Sequence, residues 1–162
     1  MAKTPRGGFA ARARQGALAI VVAVGALLAP SAQAGLGEPV DSVQRDHAAL
    51  HGAALSVTPM LNYDLHETTT VDGGRLRQYA TRAGTVFAVT WSGPALPDLK
   101  LVLGKSYDTY FAAASAHSGG HHVLNIEAPE LVLNITKHSR GFTAHAHLPA
   151  LLPAGTAAQE LR

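Results

Sequence analysis

The chain has 162 residues, no cysteine, nine histidines and a formal net charge of +2. This length suits one ordinary domain and excludes large catalytic scaffolds. A hydrophobic fraction of 47% with 15% charged residues excludes a disordered chain, because there is enough apolar surface to form a core. The absence of cysteine excludes disulfides, thiol nucleophiles and paired-cysteine redox chemistry.

Residues 1–34 have the pattern of a cleavable secretory signal peptide. Four basic residues precede an apolar run at 17–30, which is followed by the small-x-small motif Ala32-Gln33-Ala34. The run is shorter than the ~20 apolar residues that a membrane-spanning helix needs. We therefore expect cleavage after Ala34, export to the periplasm or out of the cell, and one domain at 35–162 without an integral membrane span.

Removal of this leader changes the sign of the net charge. The leader holds four of the 13 basic residues and none of the 11 acidic ones, so residues 35–162 carry nine basic against 11 acidic residues. No basic stripe remains to neutralise phosphates, which excludes nucleic acid and anionic lipid as expected partners.

The first part of the expected domain reads as a helix followed by a meander. Apolar spacing predicts a helix over Ser42–Ala54, weakened near its end by Gly52. Alternating stretches at 63–71, 75–81 and 85–92 are separated by turns at Asp72-Gly73-Gly74 and Ala83-Gly84. This pattern predicts a three-stranded antiparallel meander.

Two-residue turns in both hairpins assign each side chain of the meander to one face, and only one face is expected to be core. Glu67 and Gln78 are then polar intrusions on the core side, opposite or diagonal to each other. The predicted core face carries Leu65, Glu67, Thr69, Val71, Leu76, Gln78, Ala80, Phe87, Val89 and Trp91. The predicted solvated face carries Asp64, His66, Thr68, Thr70, Arg75, Arg77, Tyr79 and Thr81.

The second part of the domain reads as a helix followed by three strands. Three-four apolar spacing predicts one amphipathic helix or two short ones over 98–116, with a kink at Gly104. Strands are expected at 122–126, 131–137 and 142–148, and two prolines make 148–153 coil that covers the sheet. The predicted class is α+β, an antiparallel sheet with one main helix packed on its apolar face.

Histidines provide one candidate site. His145 and His147 alternate on a predicted strand and so project from the same face, about 7 Å apart along the strand. With His138 or His121 from neighbouring segments they would suit Zn²⁺ or Cu²⁺. The alternative is a polar face with no metal, and no carboxylate or cysteine lies at ligand spacing, so no cofactor is the leading expectation.

The solvated face of the meander provides the other candidate. Arg75, Arg77, Tyr79 and His66 would form a docking face for an envelope partner. A small hydrolase that uses Glu67 or Ser118 is a further alternative, although no second carboxylate accompanies Glu67 for acid-base work. The leading expectation is a non-catalytic exported binding or accessory module.

Several motifs in the chain resemble one known family. They are the run Gly84–Pro94 with its Trp-x-Gly-Pro end, Pro97-Asp98-Leu99, Leu103-Gly104, Tyr107–Phe111 and the closing Leu148–Gly155. Together they resemble the exported proteobacterial family catalogued as domain of unknown function 2844. The resemblance implies a small exported protein and supplies no activity, cofactor or catalytic residues. A Gly-Arg-Ala-Tyr stretch is associated with that family where this chain has Ala144-His145-Ala146-His147.

Overall fold

A computed structural model describes residues 35–116 and 122–161, which form a seven-stranded antiparallel sheet in the order β1-β2-β3-β4-β7-β6-β5. The α+β class and the meander are confirmed. The predicted leader, His121 and Ser118 lie outside the described residues. The elements are α1 (Ser42–Ala49), β1 (Gly52–Pro59), β2 (Tyr63–Thr70), β3 (Arg75–Thr81), β4 (Val86–Gly93), α2 (Leu99–Leu103), α3 (Tyr107–Ala116), β5 (Val123–Glu127), β6 (Val132–His138) and β7 (Gly141–His147).

The first helix is shorter than the sequence predicts, and an additional strand follows it. Helix α1 ends at Ala49, and His51 adopts a positive φ of 53° that stops helical geometry. Residues Gly52–Pro59 then pair with β2 as an edge strand. The predicted helix over Ser42–Ala54 is therefore wrong beyond Ala49, because the chain leaves helical geometry at His51 and continues as a strand from Gly52.

The first hairpin of the meander has a longer loop than predicted, which reverses the faces of β2. Val71–Gly73 form a three-residue loop, with the Thr70 amide donating to the Gly74 carbonyl at 2.8 Å and Gly73 at φ 84°. This shifts the register by one residue, so Glu67 lies opposite Arg77 and His66 lies opposite Gln78. A shift of one residue moves every side chain of a strand to the other face. The predicted placement of Leu65, Glu67, Thr69 and Val71 with Gln78 is therefore wrong.

The second hairpin keeps most of its predicted register because two deviations cancel. Its loop also has three residues, but a bulge between Tyr79 and Ala80 restores the pairing of Gln78 with Val89 and of Leu76 with Trp91. Phe87 is the extra, unpaired residue of this bulge and packs with Tyr79. Phe87, Val89 and Trp91 are all buried as predicted, but Phe87 faces the opposite side of the sheet from the other two.

One face of the sheet, which we call the helix face, holds the main core. Leu76, Val89, Trp91, Leu133 and Ala146 pack there with apolar residues of the helices. The two short helices at 98–116 are joined by a 3-10 turn at Gly104, where φ is 53°. Only α2 is anchored deeply, through Val102 and Leu103, whereas α3 has no buried residue. The predicted helix packing is thus only partly confirmed: α2 supplies it, and Phe111 on α3 is 59% exposed.

The other face, which we call the groove face, carries a second and smaller core that the sequence analysis did not predict. Tyr79, Phe87, Ala88 and Leu161 are buried together, with Tyr63, Leu65 and Leu152 packed around them. The segment 148–161 lies over this part of the sheet as coil and 3-10 turns, as the two prolines indicate. Because Leu161 is 1% exposed, the tail is a structural part of the domain.

Candidate ligand-binding groove

A continuous row of polar side chains crosses the groove face from one sheet edge to the other. Cross-strand pairing aligns one residue from each of the seven strands. Antiparallel partners on one face have closely spaced side chains, so such a row forms a connected polar surface. In sheet order this polar row consists of Ser56, Glu67, Arg77, Thr90, His145, Asn134 and Asn125.

A cavity of about 370 Å³ lies over the centre of the polar row. Its floor includes Arg77, Thr90 and His145, and Leu161 of the tail contributes to its lining. A second row, one step along the strands, adds Arg75, Ser92 and Thr143. The volume of this cavity falls within the range of small-molecule sites, which are typically ~300–1,000 Å³. We call this cavity the groove.

Two guanidinium groups and one carboxylate set the electrostatics at one end of the groove. Arg77 Nε donates to Glu67 Oε2 at 2.6 Å, whereas Arg75 Nε lies 3.7 Å from Glu67 Oε1. The Arg75 side chain is 51% exposed. Glu67 therefore neutralises one of the two positive charges closely and leaves the other facing the groove and solvent.

His145 and His147 form a stacked pair in the middle of the groove face. Their ring centroids are 5.3 Å apart with an interplanar angle of 28°. Burial lowers the pKa of both imidazoles below the ordinary value, and the neighbouring His147 lowers the pKa of His145 further. Both rings are therefore neutral at pH 7, and Nε2 of His145 and Nδ1 of His147 are buried without a hydrogen-bond partner among the described residues.

Amide and hydroxyl groups continue the polar row beyond the histidines. Thr136 Oγ1 donates to Asn134 Oδ1 at 3.2 Å, and Asn134 Nδ2 donates to Asn125 Oδ1. These bonds fix the orientation of the Asn134 amide beside the groove. The far end thus offers uncharged donors and acceptors, in contrast to the cationic end at Arg75.

The predicted docking face needs a correction for two of its four residues. Arg75 and Arg77 do lie together on the groove face, but His66 lies on the helix face because of the register shift. Tyr79 is 2% exposed, since the tail covers it. Arg75 and Arg77 lie beside His145 instead, so the structure joins residues from the two separately predicted sites.

The predicted metal ligands are brought together only in part. His145 and His147 share a face as predicted. His138 lies opposite Gly141, two rows along the strands from His145, and its Nε2 is 2.9 Å from Thr143 Oγ1. Within 35–116 and 122–161 there is no group of three histidine, aspartate or glutamate side chains arranged for a metal ion. Metal binding stays a prediction.

Glu67 and Gln78 have different partners from those expected. Glu67 pairs with Arg77, while Gln78 is fully buried on the helix face and its amide donates to Asp46 of α1. Burial raises the pKa of Asp46 from 3.8 to about 7, an effect that the Gln78 hydrogen bond and Arg45 oppose in part. No sequence pattern singled out Asp46; its only signal was its position three residues after the apolar Val43 in the predicted helix.

The observations define a class: an antiparallel α+β protein with helices on one face of its sheet and a polar groove on the other. Comparison with known families shows that the chain belongs to the family described as Protein of unknown function (DUF2844), whose model matches residues 32–161. The expected family is thus confirmed. No curated protein and no solved structure matches the chain. No helix within the described ranges is long and apolar enough to cross a membrane.

Proposed function

We propose that this protein is an exported, non-catalytic binding module that recognises an envelope component through the groove. The observation that carries this proposal is the groove itself. It combines a cavity of about 370 Å³ with a partly unneutralised guanidinium and a row of fixed polar groups. Pockets that bind ligands combine concavity with a few positioned polar groups in this way.

The contacts of Glu67 favour a binding function over a hydrolytic one. A general acid or base needs a proton-exchanging group free to reach its substrate. The Glu67 carboxylate instead accepts from Arg77 at 2.6 Å and faces a second guanidinium, so it orients the two arginines. The alternative nucleophile Ser118 lies outside the described residues. A structural role for Glu67 therefore agrees better with its contacts than a catalytic one.

Export is supported by the leader pattern, and the contacts of the first described residues are compatible with cleavage after Ala34. Leu36 is fully buried, and its amide donates to the Val102 carbonyl at 3.0 Å. Cleavage after Ala34 would leave this contact intact. Intact mass of the protein recovered from the envelope or medium of the native host is expected to match 35–162. Full-length protein confined to the cytoplasm would contradict export.

Site-specific photo-crosslinking in the native host tests binding through the groove. A photoreactive residue at Thr143, which lines the groove, is compared with one at Val71, an exposed loop position outside it. A discrete adduct to an envelope component from Thr143, and none from Val71, is expected. No adduct at either position, or equal adducts at both, would contradict recognition through the groove.

The stacked pair of neutral imidazoles favours one alternative function, extracytoplasmic Zn²⁺ or Cu²⁺ binding. Neutral His145 and His147 have the protonation state that a metal ligand requires. Protein purified without an affinity metal column is titrated with each ion, and His145→Ala/His147→Ala provides the comparison. Stoichiometric binding that the double variant loses would support this alternative. No binding after titration would end it.

A further inference from the structure

We infer that the groove takes a sugar acid, a polyhydroxylated ligand whose carboxylate binds at Arg75. This inference rests on the proposed function and names its ligand class. It follows from the separation of two kinds of chemistry along one cavity: a cationic end at Arg75 and Arg77, and an uncharged end of hydroxyl and amide groups.

The charge distribution selects an anion at one end only. Glu67 is held closely by Arg77, while its nearest oxygen is 3.7 Å from Arg75, so the Arg75 fork retains donors for another oxyanion. No carboxylate is among the described residues that line the groove. Guanidinium groups match carboxylates geometrically through paired hydrogen bonds. A single carboxylate therefore suits this end.

The remaining lining suits hydroxyl groups rather than a second charge. Thr90, Ser92 and Thr143 present hydroxyls that both donate and accept, and Asn134 adds an amide fixed by Thr136. Leu161 gives one apolar contact on the tail side. Hydroxyls and carbon faces of a sugar ring match such a lining.

Isothermal titration of the protein as recovered after export tests this inference with three probes. D-glucuronate carries the carboxylate and hydroxyls, D-glucose only the hydroxyls and acetate only the carboxylate. We expect glucuronate to bind about tenfold or more tightly than glucose, the gain expected from one charge-assisted hydrogen-bond pair. It should also bind more tightly than acetate, which lacks the hydroxyl contacts. Equal affinity for glucose, equal affinity for acetate, or no binding of glucuronate would overturn the inference.

Three variants locate the binding. Arg75→Gln removes the exposed guanidinium, and Arg82→Gln is the matched control because Arg82 pairs with Asp64 and does not line the groove. Arg75→Gln should weaken glucuronate binding about fivefold or more, and Arg82→Gln should leave it unchanged. Asn134→Asp should weaken glucuronate binding more than glucose binding, because the added carboxylate repels that of glucuronate. Wild-type affinity in Arg75→Gln, with an unchanged melting temperature, would refute the assignment.

The crosslinking experiment at Thr143 distinguishes failure of the sugar-acid inference from failure of the proposed recognition of an envelope component. An adduct from Thr143 without glucuronate binding would overturn the sugar-acid inference and leave recognition through the groove standing. Glucuronate binding without an adduct would support the ligand class and contradict recognition of a larger envelope component.

Discussion

At the residue scale, Trp91 shows how one side chain determines its neighbours. The indole packs on the helix face, and its Nε1 donates to the Ala95 carbonyl at 2.8 Å. A Cβ atom at Gly74 or Gly93 would overlap the ring. The Trp-x-Gly-Pro sequence thus has a steric reason, because the tryptophan occupies the space that a side chain at position 93 would need.

Replacement of Trp91 by alanine should destabilise the fold by about 3–5 kcal/mol, since it removes a large buried side chain and leaves a cavity. The free energy of unfolding from urea denaturation measures this. Phe111→Ala is the matched control, because Phe111 is a 59% exposed aromatic residue, and it should cost about 1 kcal/mol or less. Equal losses in both variants would show that Trp91 has no special place in the core.

At the scale of single elements, sequence patterns predicted the bounds of the strands better than they predicted the side of the sheet on which each side chain lies. Sequence patterns placed β2 to β7 within about a residue or two, which is the usual uncertainty of element ends. The side of the sheet on which a side chain lies depends on the length of the hairpin loop. A three-residue loop at Val71–Gly73, in place of the predicted two-residue turn, moves every side chain of β2 to the other side. Asp-Gly-Gly contains turn residues for either length, so the sequence did not decide between them.

The missed strand β1 and the missed tail core have different physical causes. Residues 48–55 are rich in alanine and leucine, which favour a helix, whereas pairing with β2 determines the strand. Leu161 has no local pattern around it, and its burial depends on Tyr79 and Phe87, which are distant in sequence. Local propensity contains no information about such long-range contacts.

The tail is expected to stabilise the domain through Leu161. Leu161→Ala should lower the free energy of unfolding by about 2–4 kcal/mol, because Leu161 is buried against Tyr79 and Phe87. Leu151→Ala, in the same segment but 37% exposed, is the matched control and should have a much smaller effect. A negligible effect of Leu161→Ala would mean that the tail does not cover the second core in solution.

At the scale of the whole molecule, the groove exists because two halves of the chain share one sheet. The meander supplies Arg75, Arg77 and Thr90, and the β4–β7 pairing places His145 directly beside Thr90. The sequence predicted both groups of residues but contained no signal for the pairing that joins them. The candidate site could therefore be predicted only as two separate fragments.

At the scale of the whole molecule, buried titratable groups on both faces of the sheet make the stability of the fold depend on pH in opposite directions. The folded-state pKa of Asp46 is raised to about 7, so its contribution to stability is complete at low pH and is lost as the pH rises through 7. Burial lowers the pKa values of His66, His145 and His147. The stability that these neutral rings confer is present above pH 6.5 and is lost as the pH falls.

Asp46→Asn separates these responses. The uncharged amide still offers an oxygen to Gln78, so the variant should be more stable than the wild type at pH 8, by about 2–4 kcal/mol. Urea denaturation between pH 8 and 5 should show this advantage shrinking as the wild-type carboxyl gains its proton, while the histidines destabilise both proteins alike. Asp41→Asn, an exposed carboxylate next to α1, should keep the wild-type profile. A constant difference between Asp46→Asn and the wild type across this range would contradict a near-neutral titration of Asp46, because only protonation of the buried carboxylate makes the difference depend on pH.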